Sequence, residues 1–177
     1  MKKEPDFKVT PWEVKGEIDY NNLVREFGTT LISEKIRKKL EKTHPLLRRG
    51  IYFSHRDFDK WLEAFEKGKK VSVITGRGPS EKMHIGHLVP FFVARSLQEQ
   101  FDCDVFIPIS DDESYVAGKV KNQKEALENS LELAKELLAY GFDPKKTYFI
   151  IDQVYTSIYN LAIKLSAQPP GVCHEGI

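Results

Sequence analysis

Residues 71–87 of this chain read VSVITGRGPSEKMHIGH and decide its fold. The β-branched run 71–75 predicts a buried strand, and the glycines and proline that follow it predict a loop. The apolar segment after this loop predicts a helix over residues 86–100, with Pro90 in its first turn, where proline is tolerated. A strand that passes through a glycine-rich loop into a helix indicates the start of an α/β arrangement.

Further strands and helices alternate after this unit. Residues 104–110 and 147–151 predict buried strands, and residues 155–165 predict a helix. Another helix begins at Asn122, where Glu125 completes a capping-box pattern. Its apolar spacing predicts an inner stripe of Leu127, Leu131, Ala134 and Leu138. The alternation predicts a Rossmann-like parallel sheet with right-handed crossovers in three layers.

The first 69 residues have a different pattern. Prolines and a glycine interrupt residues 1–18, where short extended pieces predict a hairpin. Helices are predicted from Asp19 to Phe27 and from Ser33 to Lys42, the second ended by Pro45. Residues 50–54 predict a strand or bend, and the spacing of apolar residues after Phe58 predicts a helix that Gly68 ends.

These patterns predict three regions. Residues 1–69 form a small, mainly helical extension, residues 70–165 form the first half of a Rossmann-like domain, and residues 166–177 form an irregular tail. Proline and glycine break the periodicity of that tail, so no further element is predicted in it.

The composition limits the kinds of protein this chain can be. Its 177 residues hold 27 Lys and Arg against 26 Asp and Glu, and 41% of them are hydrophobic. This balance excludes intrinsic disorder and a global basic field for nucleic acid. Two cysteines, Cys103 and Cys173, are too few for a disulfide framework and fit a reducing compartment. With neither a signal peptide nor an apolar run of about 20 residues, we expect a cytoplasmic protein without a membrane contact.

The loop 75–87 is the strongest candidate site. In an open α/β sheet, ligands bind beyond the carboxyl ends of the strands, where helix N-termini favour phosphate. His84 and His87 are three residues apart, so on one helical turn both can donate to one polyphosphate. Gly86 leaves room for a flat base or ribose, and Arg77 adds a cationic fork.

Other interpretations of this loop carry less weight. Two surface histidines near a turn would be the plain alternative. The loop lacks the third glycine of a dinucleotide fingerprint, and the chain has no Walker A sequence. No zinc site is predicted at His84 and His87, because no further pair of ligands is evident.

Two more clusters are candidates for chemistry. Residues 110–113 read SDDE and follow the second strand at the same sheet edge. A carboxylate there can bind an ammonium group or Mg²⁺, although a helix-capping turn explains at least two of the three carboxylates; Glu113 is the functional choice. Trp12 with Arg48, Arg49 and Arg56 can meet nucleic acid, but packing against the domain is favoured.

Several motifs together resemble one protein family, the tryptophanyl-tRNA synthetases of the archaeal and eukaryotic type. The run Met83–His87 resembles the HIGH signature of class I aminoacyl-tRNA synthetases, and flanking stretches resemble this branch in particular over residues 6–165. Those stretches are PWEV at 11–14, IDY at 18–20, LRRGIYFSHRD at 47–57, TGRGPS at 75–80 and DDE at 111–113.

The resemblance implies ATP-dependent activation of tryptophan, with Mg²⁺, for attachment to tRNA(Trp). It implies that His84, His87 and Arg77 act on the phosphates and that Glu113 holds the tryptophan ammonium. It also implies an ATP-binding set and an amino-acid-binding set of residues. Gly76, Gly78, Gly86 and Thr10, the last in a hairpin that closes over ATP, form the first set, and Glu113, Ile74 and Pro108 form the second.

The chain departs from the family pattern in three ways. Ile74 stands where the family has a tyrosine and Pro108 where it has a glutamine, both of which bond the indole N–H. The KMSKS loop, the second half of the nucleotide fold and the anticodon-binding domain are missing. We therefore expect a fragment that does not charge tRNA by itself.

Two other functions stay open at this stage. One is a small nucleotidyltransferase that uses the His-x-Gly-His site, and the other is a non-catalytic binding remnant. The family resemblance also implies a possible homodimer. A sheet edge left open by an incomplete fold would favour self-association.

Overall fold

The structure is a computed structural model that describes residues 8–9, 14–15, 20–40 and 44–167. The chain divides into two compact units, residues 1–71 and residues 72–177. The domain bounds predicted from the sequence stay predictions. The predicted tail beyond residue 167, and with it Cys173, lies outside the described residues, as do Thr10 and Trp12.

The first unit contains short elements. They are β1 (Lys8–Val9), β2 (Val14–Lys15), α1 (Tyr20–Glu26), β3 (Thr30–Leu31), α2 (Glu34–Lys39), α3 (Pro45–Arg48), β4 (Ser54–His55) and α4 (Phe58–Glu66). Antiparallel pairing of β1 with β2 confirms the predicted hairpin. Ser33 caps α2 by accepting a hydrogen bond from the Ile36 N–H, as Ser at this position favours.

The extent predicted for the second helix and the residue predicted to end it are wrong. The second helix was expected to reach Lys42, but α2 ends at Lys39. Pro45 does not stop that helix; it occupies the first turn of α3, where its missing N–H has no helical partner to lose. The strand or bend predicted over 50–54 is confirmed, because residues 51 and 52 form a bend and Ser54 begins β4, which pairs with β3.

The second unit alternates strands and helices as predicted. Its elements are β5 (Ser72–Ile74), α5 (Ile85–Phe101), β6 (Asp104–Ile109), α6 (Asp111–Val116), α7 (Gln123–Tyr140), β7 (Thr147–Ile151) and α8 (Ser157–Ser166). The helix α6 is the one element that the sequence pattern did not predict here. Among the described residues, no helix combines the length and apolar character that crossing a bilayer requires.

The three strands form a parallel sheet in the order β5-β6-β7. Alternate residues of β6, namely Val105, Ile107 and Ile109, are fully buried in one cluster with Phe91 of α5 and Leu137 of α7. Both helices therefore cover the same face of the sheet.

The predicted third layer is not found in the described part of the chain. The strand order runs in one direction without reversing, so right-handed crossovers place both helices on one face. The other face carries Ile74, which is 72% exposed, and Tyr148, which is 46% exposed. The second unit is therefore built of two layers over its described residues.

The inner stripe of α7 is one residue away from the predicted one. Leu131 and Leu138 are exposed, whereas the buried residues are Ala126, Ser130, Leu133 and Leu137. Ser130 is accommodated because its hydroxyl donates to the Ala126 carbonyl at 2.8 Å. Small residues let the helix approach the sheet, and the Leu-based pattern overlooked them.

Pro108 lies in the central strand β6, where a proline is unusual. In parallel strands, alternate residues direct both backbone groups to the same neighbour. Phe106 bonds toward β5 through its carbonyl, which accepts from the Thr75 N–H at 3.1 Å, so Pro108 also faces that side. Because β5 ends at Ile74, opposite Phe106, the missing N–H of Pro108 removes no ladder bond.

Candidate functional site

Two glycines allow the loop between β5 and α5 to pack closely against the edge of the sheet. A Cβ on Gly76 would lie 2.1 Å from the Pro108 carbonyl oxygen, and a Cβ on Gly78 would lie 2.6 Å from Ser114 Oγ. The next residue, Pro79, is fully buried, and its carbonyl accepts from Asn129 Nδ2 at 3.1 Å. The loop is therefore held at the carboxyl end of the strands, where α/β sheets bind ligands.

His84 and His87 meet at the start of α5. His84 is the N-cap, and its Nδ1 accepts from the Gly86 N–H at 3.2 Å. The two imidazole rings stack with centroids 3.6 Å apart and planes 27° apart. A Cβ on Gly86 would lie 3.1 Å from the His84 ring, so the glycine leaves space for this cap.

Two nitrogen atoms in this loop are buried without a hydrogen-bond partner. They are Arg77 Nη1 and His87 Nδ1. The other ring nitrogen of His87, Nε2, lies 3.5 Å from Glu81 Oε1. A buried polar atom without a partner destabilises the fold, so a ligand that supplies acceptor atoms here would be stabilised.

Burial and neighbouring charges set the protonation of this cluster. Burial lowers the pKa of Arg77, while Glu81 and Glu136 act in the opposite direction. Burial also lowers the pKa of His87, and the nearby Arg77 and His84 lower it further against the effect of Glu81. His87 is therefore mainly neutral at pH 7, and an incoming anion favours its protonated form.

The cluster has the chemistry of an anion site. The first turn of the 17-residue α5 contributes the positive end of its helix dipole. Arg77, His84 and His87 add side-chain donors beside it. Charge-assisted hydrogen bonds from such donors to phosphate oxygens are stronger than neutral ones.

The acidic turn predicted at residues 110–113 is the first turn of α6. Asp111 is fully buried, and its two carboxylate oxygens accept from Gln153, from the backbone N–H at 3.2 Å and from Nε2 at 2.6 Å. Asp112 accepts from the Tyr159 hydroxyl at 2.8 Å and from the Glu113 N–H at 2.7 Å. Glu113 itself is exposed at the surface.

Sequence reasoning missed Asp152, Gln153 and Tyr159. Burial and the neighbouring carboxylate of Asp112 raise the pKa of Asp152 to about 6. The hydrogen bond to Asp112 raises the pKa of Tyr159 to about 12. Residues 152 and 153 follow β7 directly, so the rule that polar residues gather at the carboxyl edge of a sheet would have found them.

The two predicted amino-acid-binding positions that depart from the family lie on neighbouring strands. Ile74 ends β5 and is largely exposed, and Pro108 lies in β6 beside Gly76. Neither side chain can accept a hydrogen bond from an indole N–H. On the same open face, the rings of Phe106 and Tyr148 stack at 5.0 Å and line a cavity of 470 Å³.

The basic residues predicted near the N-terminal aromatics, Arg48, Arg49 and Arg56, all belong to the first unit. Arg56 donates through Nη2 to the Phe27 carbonyl, a contact within the first unit. Because this bond lies inside the first unit, packing of Arg56 against the domain stays a prediction. Trp12, the aromatic partner proposed for it, lies outside the described residues.

Comparison with known proteins identifies the family of this loop and sheet. A family model described as "tRNA synthetases class I (W and Y)" matches residues 66–168. The chain belongs to this family. The synthetase motifs at the β5–α5 loop and at α6 both fall within the matched residues.

Its relatives in this synthetase family are tryptophan–tRNA ligases. The ligase of Pyrococcus abyssi is 42% identical over 169 residues, a match that covers 91% of this chain and 43% of the ligase. The tryptophanyl-tRNA synthetase structure from Giardia lamblia superposes with a TM-score of 0.78 at 36% identity, covering 85% of this chain and 40% of that one. The tryptophanyl-tRNA synthetase structure from Aeropyrum pernix superposes with a TM-score of 0.69 at 35% identity. The match covers 84% of this chain and 42% of that one.

These comparisons confirm the resemblance to archaeal and eukaryotic tryptophanyl-tRNA synthetases. They also show that the chain spans less than half the length of the relatives it matches.

Proposed function

We propose that this chain is the ATP-binding and amino-acid-activating part of a tryptophan–tRNA ligase. The observation that supports it is the stacked pair His84 and His87 at the start of α5, beside the unpartnered Arg77 Nη1. The relatives are tryptophan–tRNA ligases, which supports this function over a small nucleotidyltransferase or a non-catalytic remnant.

In the proposed reaction, a carboxylate oxygen of tryptophan attacks the α-phosphorus of ATP. The new P–O bond forms as the bond to the β-phosphate oxygen breaks, and pyrophosphate leaves. The protein forms no covalent bond, so its contribution is alignment and stabilisation of charge on the phosphates. His84 and His87 donate to phosphate oxygens, and Arg77 adds a charged donor. The small Gly76, Gly78 and Gly86 keep the backbone close to the nucleotide.

The amino acid is proposed to bind at the adjacent strand ends. Glu113 is the exposed carboxylate there and would hold the tryptophan ammonium. An indole N–H buried without an acceptor would lose about 1–3 kcal/mol, so Ile74 and Pro108 weaken the preference for tryptophan. We therefore expect a smaller discrimination against other large apolar amino acids than a site with two acceptors gives.

Mg²⁺ is proposed to enter with ATP, as part of the substrate. The donors near the phosphate site are one carboxylate and two imidazoles, whereas Mg²⁺ prefers oxygen ligands. Asp111, Asp112 and Asp152 also bring three carboxylates within 4.8 Å of one another, but Asp111 already accepts two hydrogen bonds from Gln153 and Asp112 one from Tyr159. We therefore assign no resident Mg²⁺ site to the described residues.

The remaining proposals concern one further ATP contact, the acceptor RNA, the assembly and the cellular location. Thr10, which lies outside the described residues, is proposed to contact ATP from the hairpin. We also propose tRNA(Trp) as the final acceptor, a homodimer as the assembly and the cytoplasm as the location. The first two rest on the family resemblance; the homodimer rests on it together with the open sheet edge, and the location rests on the composition.

Calorimetric titration with ATP tests the binding claim. We expect the chain to bind ATP and His84→Ala to weaken binding roughly 10- to 100-fold, the value of a charge-assisted hydrogen bond of about 1.5–3 kcal/mol. His44→Ala, which removes a histidine that caps α3 in the first unit, is the matched control and should leave the affinity unchanged. Equal affinity in His84→Ala and the parent chain would contradict the proposal.

Pyrophosphate exchange with each amino acid tests the activation step. We expect tryptophan to support pyrophosphate exchange. We also expect phenylalanine and tyrosine to compete with it more effectively than they do in relatives that have both acceptor residues. Exchange supported best by a small polar amino acid would rule out the assigned substrate.

A further inference from the structure

Glu81 changes the prediction that the histidine pair cannot hold a metal. That prediction rested on the lack of further ligands. The structure brings a donor atom of Glu81, of His84 and of His87 within 4.8 Å of one another. We propose that these three residues bind Zn²⁺ with a fourth, open position, and that Zn²⁺ and ATP compete for the two imidazoles.

The donor set fits Zn²⁺ by type and number. Two imidazoles and one carboxylate form a three-ligand set of the kind that zinc sites with an open position use. Ligand atoms of a tetrahedral site with bonds of about 2.0–2.2 Å lie about 3.3–3.5 Å apart. His87 Nε2 and Glu81 Oε1 are already 3.5 Å apart. Mg²⁺, which prefers oxygen, fits this set poorly.

Only His84 has to move. Stacked rings direct their nitrogen lone pairs side by side, so a shared metal requires one imidazole to rotate. His84 is exposed, and the 3.2 Å hydrogen bond from the Gly86 N–H is the contact that this rotation breaks. Metal binding therefore exchanges a long capping bond for a coordination bond.

The charge of Arg77 favours binding of a phosphate and disfavours binding of Zn²⁺. Its guanidinium acts electrostatically on His87, so it attracts a phosphate and repels a metal ion at the same place. Glu81 has the reverse preference, because its carboxylate ligates a cation and repels a phosphate. Substitutions of Arg77 and Glu81 should therefore affect phosphate binding and Zn²⁺ binding in opposite directions.

Zn²⁺ binding itself does not depend on the proposed function, and it is measured without ATP. The full chain is titrated with Zn²⁺ in competition with a chromophoric chelator. We expect one strong site, and we expect Glu81→Gln and His84→Ala to weaken it by at least the roughly 10- to 100-fold that loss of an outer-shell partner costs. Arg77→Ala should strengthen it.

A double variant of the tail, Cys173→Ser with His174→Ala, is the matched control, because these two residues place a thiol beside an imidazole in the sequence. It should leave the strong site unchanged. Parent-like affinity in both Glu81→Gln and His84→Ala, or loss of the site in the tail variant, would overturn the proposal. Circular dichroism confirms that Glu81→Gln, an exposed substitution, is folded.

Competition with ATP rests on the proposed function and is measured separately. Zn²⁺ should weaken ATP binding to the parent chain and leave ATP binding to Glu81→Gln unchanged. The variant also controls for Zn²⁺ that binds to ATP in solution, because that effect is the same for both chains. Parent-like weakening in Glu81→Gln, or ATP binding undiminished by Zn²⁺, would overturn the competition. A chain that binds Zn²⁺ but no ATP would refute the proposed function and leave the metal site standing.

Discussion

The segments that follow β5 and β6 begin at the same edge of the sheet and differ in how their polar groups are satisfied. After β5, Arg77 Nη1 and His87 Nδ1 are buried without partners. After β6, Asp111 is fully buried but accepts two hydrogen bonds from Gln153, and Asp112 accepts one from Tyr159. The first segment is basic and leaves an Arg77 donor and a His87 ring nitrogen without partners, whereas the second is acidic and its buried carboxylate is hydrogen-bonded within the protein.

This difference separates a segment suited to a ligand from one that maintains the structure. Unpartnered buried donors are a cost that an incoming phosphate removes. Satisfied carboxylates offer no such gain, so among the three acidic residues only the exposed Glu113 is suited to binding an ammonium group. Substitutions in each segment test the separation.

The largest expected effect is that of Gly76→Ala in the basic segment. The new Cβ would lie 2.1 Å from the Pro108 carbonyl, so the loop or β6 must shift. We expect a loss of about 3 kcal/mol or more in unfolding free energy, measured by urea denaturation, together with loss of ATP binding. Lys82→Ala, an exposed change in the same loop, should stay within about 0.5 kcal/mol of the parent. An unfolding free energy of Gly76→Ala equal to that of the parent would show that the loop does not pack tightly against β6 at this residue.

Gln153→Ala tests the acidic segment and should have a smaller effect. It removes the 2.6 Å bond from Nε2 to the buried Asp111 carboxylate and leaves the backbone bond in place. Hydrogen bonds to charged groups contribute about 1.5–3 kcal/mol, which is the expected loss of stability. The neighbouring Gln123→Ala at the exposed start of α7 is the control. If Gln153→Ala weakened ATP binding as strongly as His84→Ala, the two segments would not be separable.

The smallest expected effect is a pH dependence due to Asp152. Its pKa is raised to about 6 in the folded chain by burial and by Asp112. Its contribution to stability is therefore full below the unfolded pKa near 3.9 and is lost as the pH rises through about 6. Asp152→Asn should flatten this fall and be more stable than the parent above pH 6, by thermal unfolding at pH 4 and pH 7.5. An unchanged fall in the variant would assign the slope to other groups.

Much of the second unit could be predicted from local patterns. The β-branched runs gave β6 and β7 nearly to the residue, and Asn122 with Glu125 marked the start of α7, where Asn122 Oδ1 accepts from the Glu125 N–H at 2.9 Å. The three-residue spacing of His84 and His87 predicted that their rings would share one side. Each signal depends on residues close together in sequence.

The parts that could not be predicted depend on contacts distant in sequence. Strand order decided that the sheet has two layers, and no local pattern encodes that order. The bond from Gln153 to Asp111 joins residues 42 positions apart. The buried stripe of α7 was missed because Ala126 and Ser130 pack against the sheet as small residues, while the larger Leu131 points to solvent.

Nitrogen-15 NMR of the histidine side chains tests the central claim most directly. The account predicts that saturating ATP shifts the ring signals of both His84 and His87, assigned with the two alanine variants, while adenosine leaves them in place. Signals of both rings that stay unchanged while ATP is bound would show that the pair does not contact the phosphates.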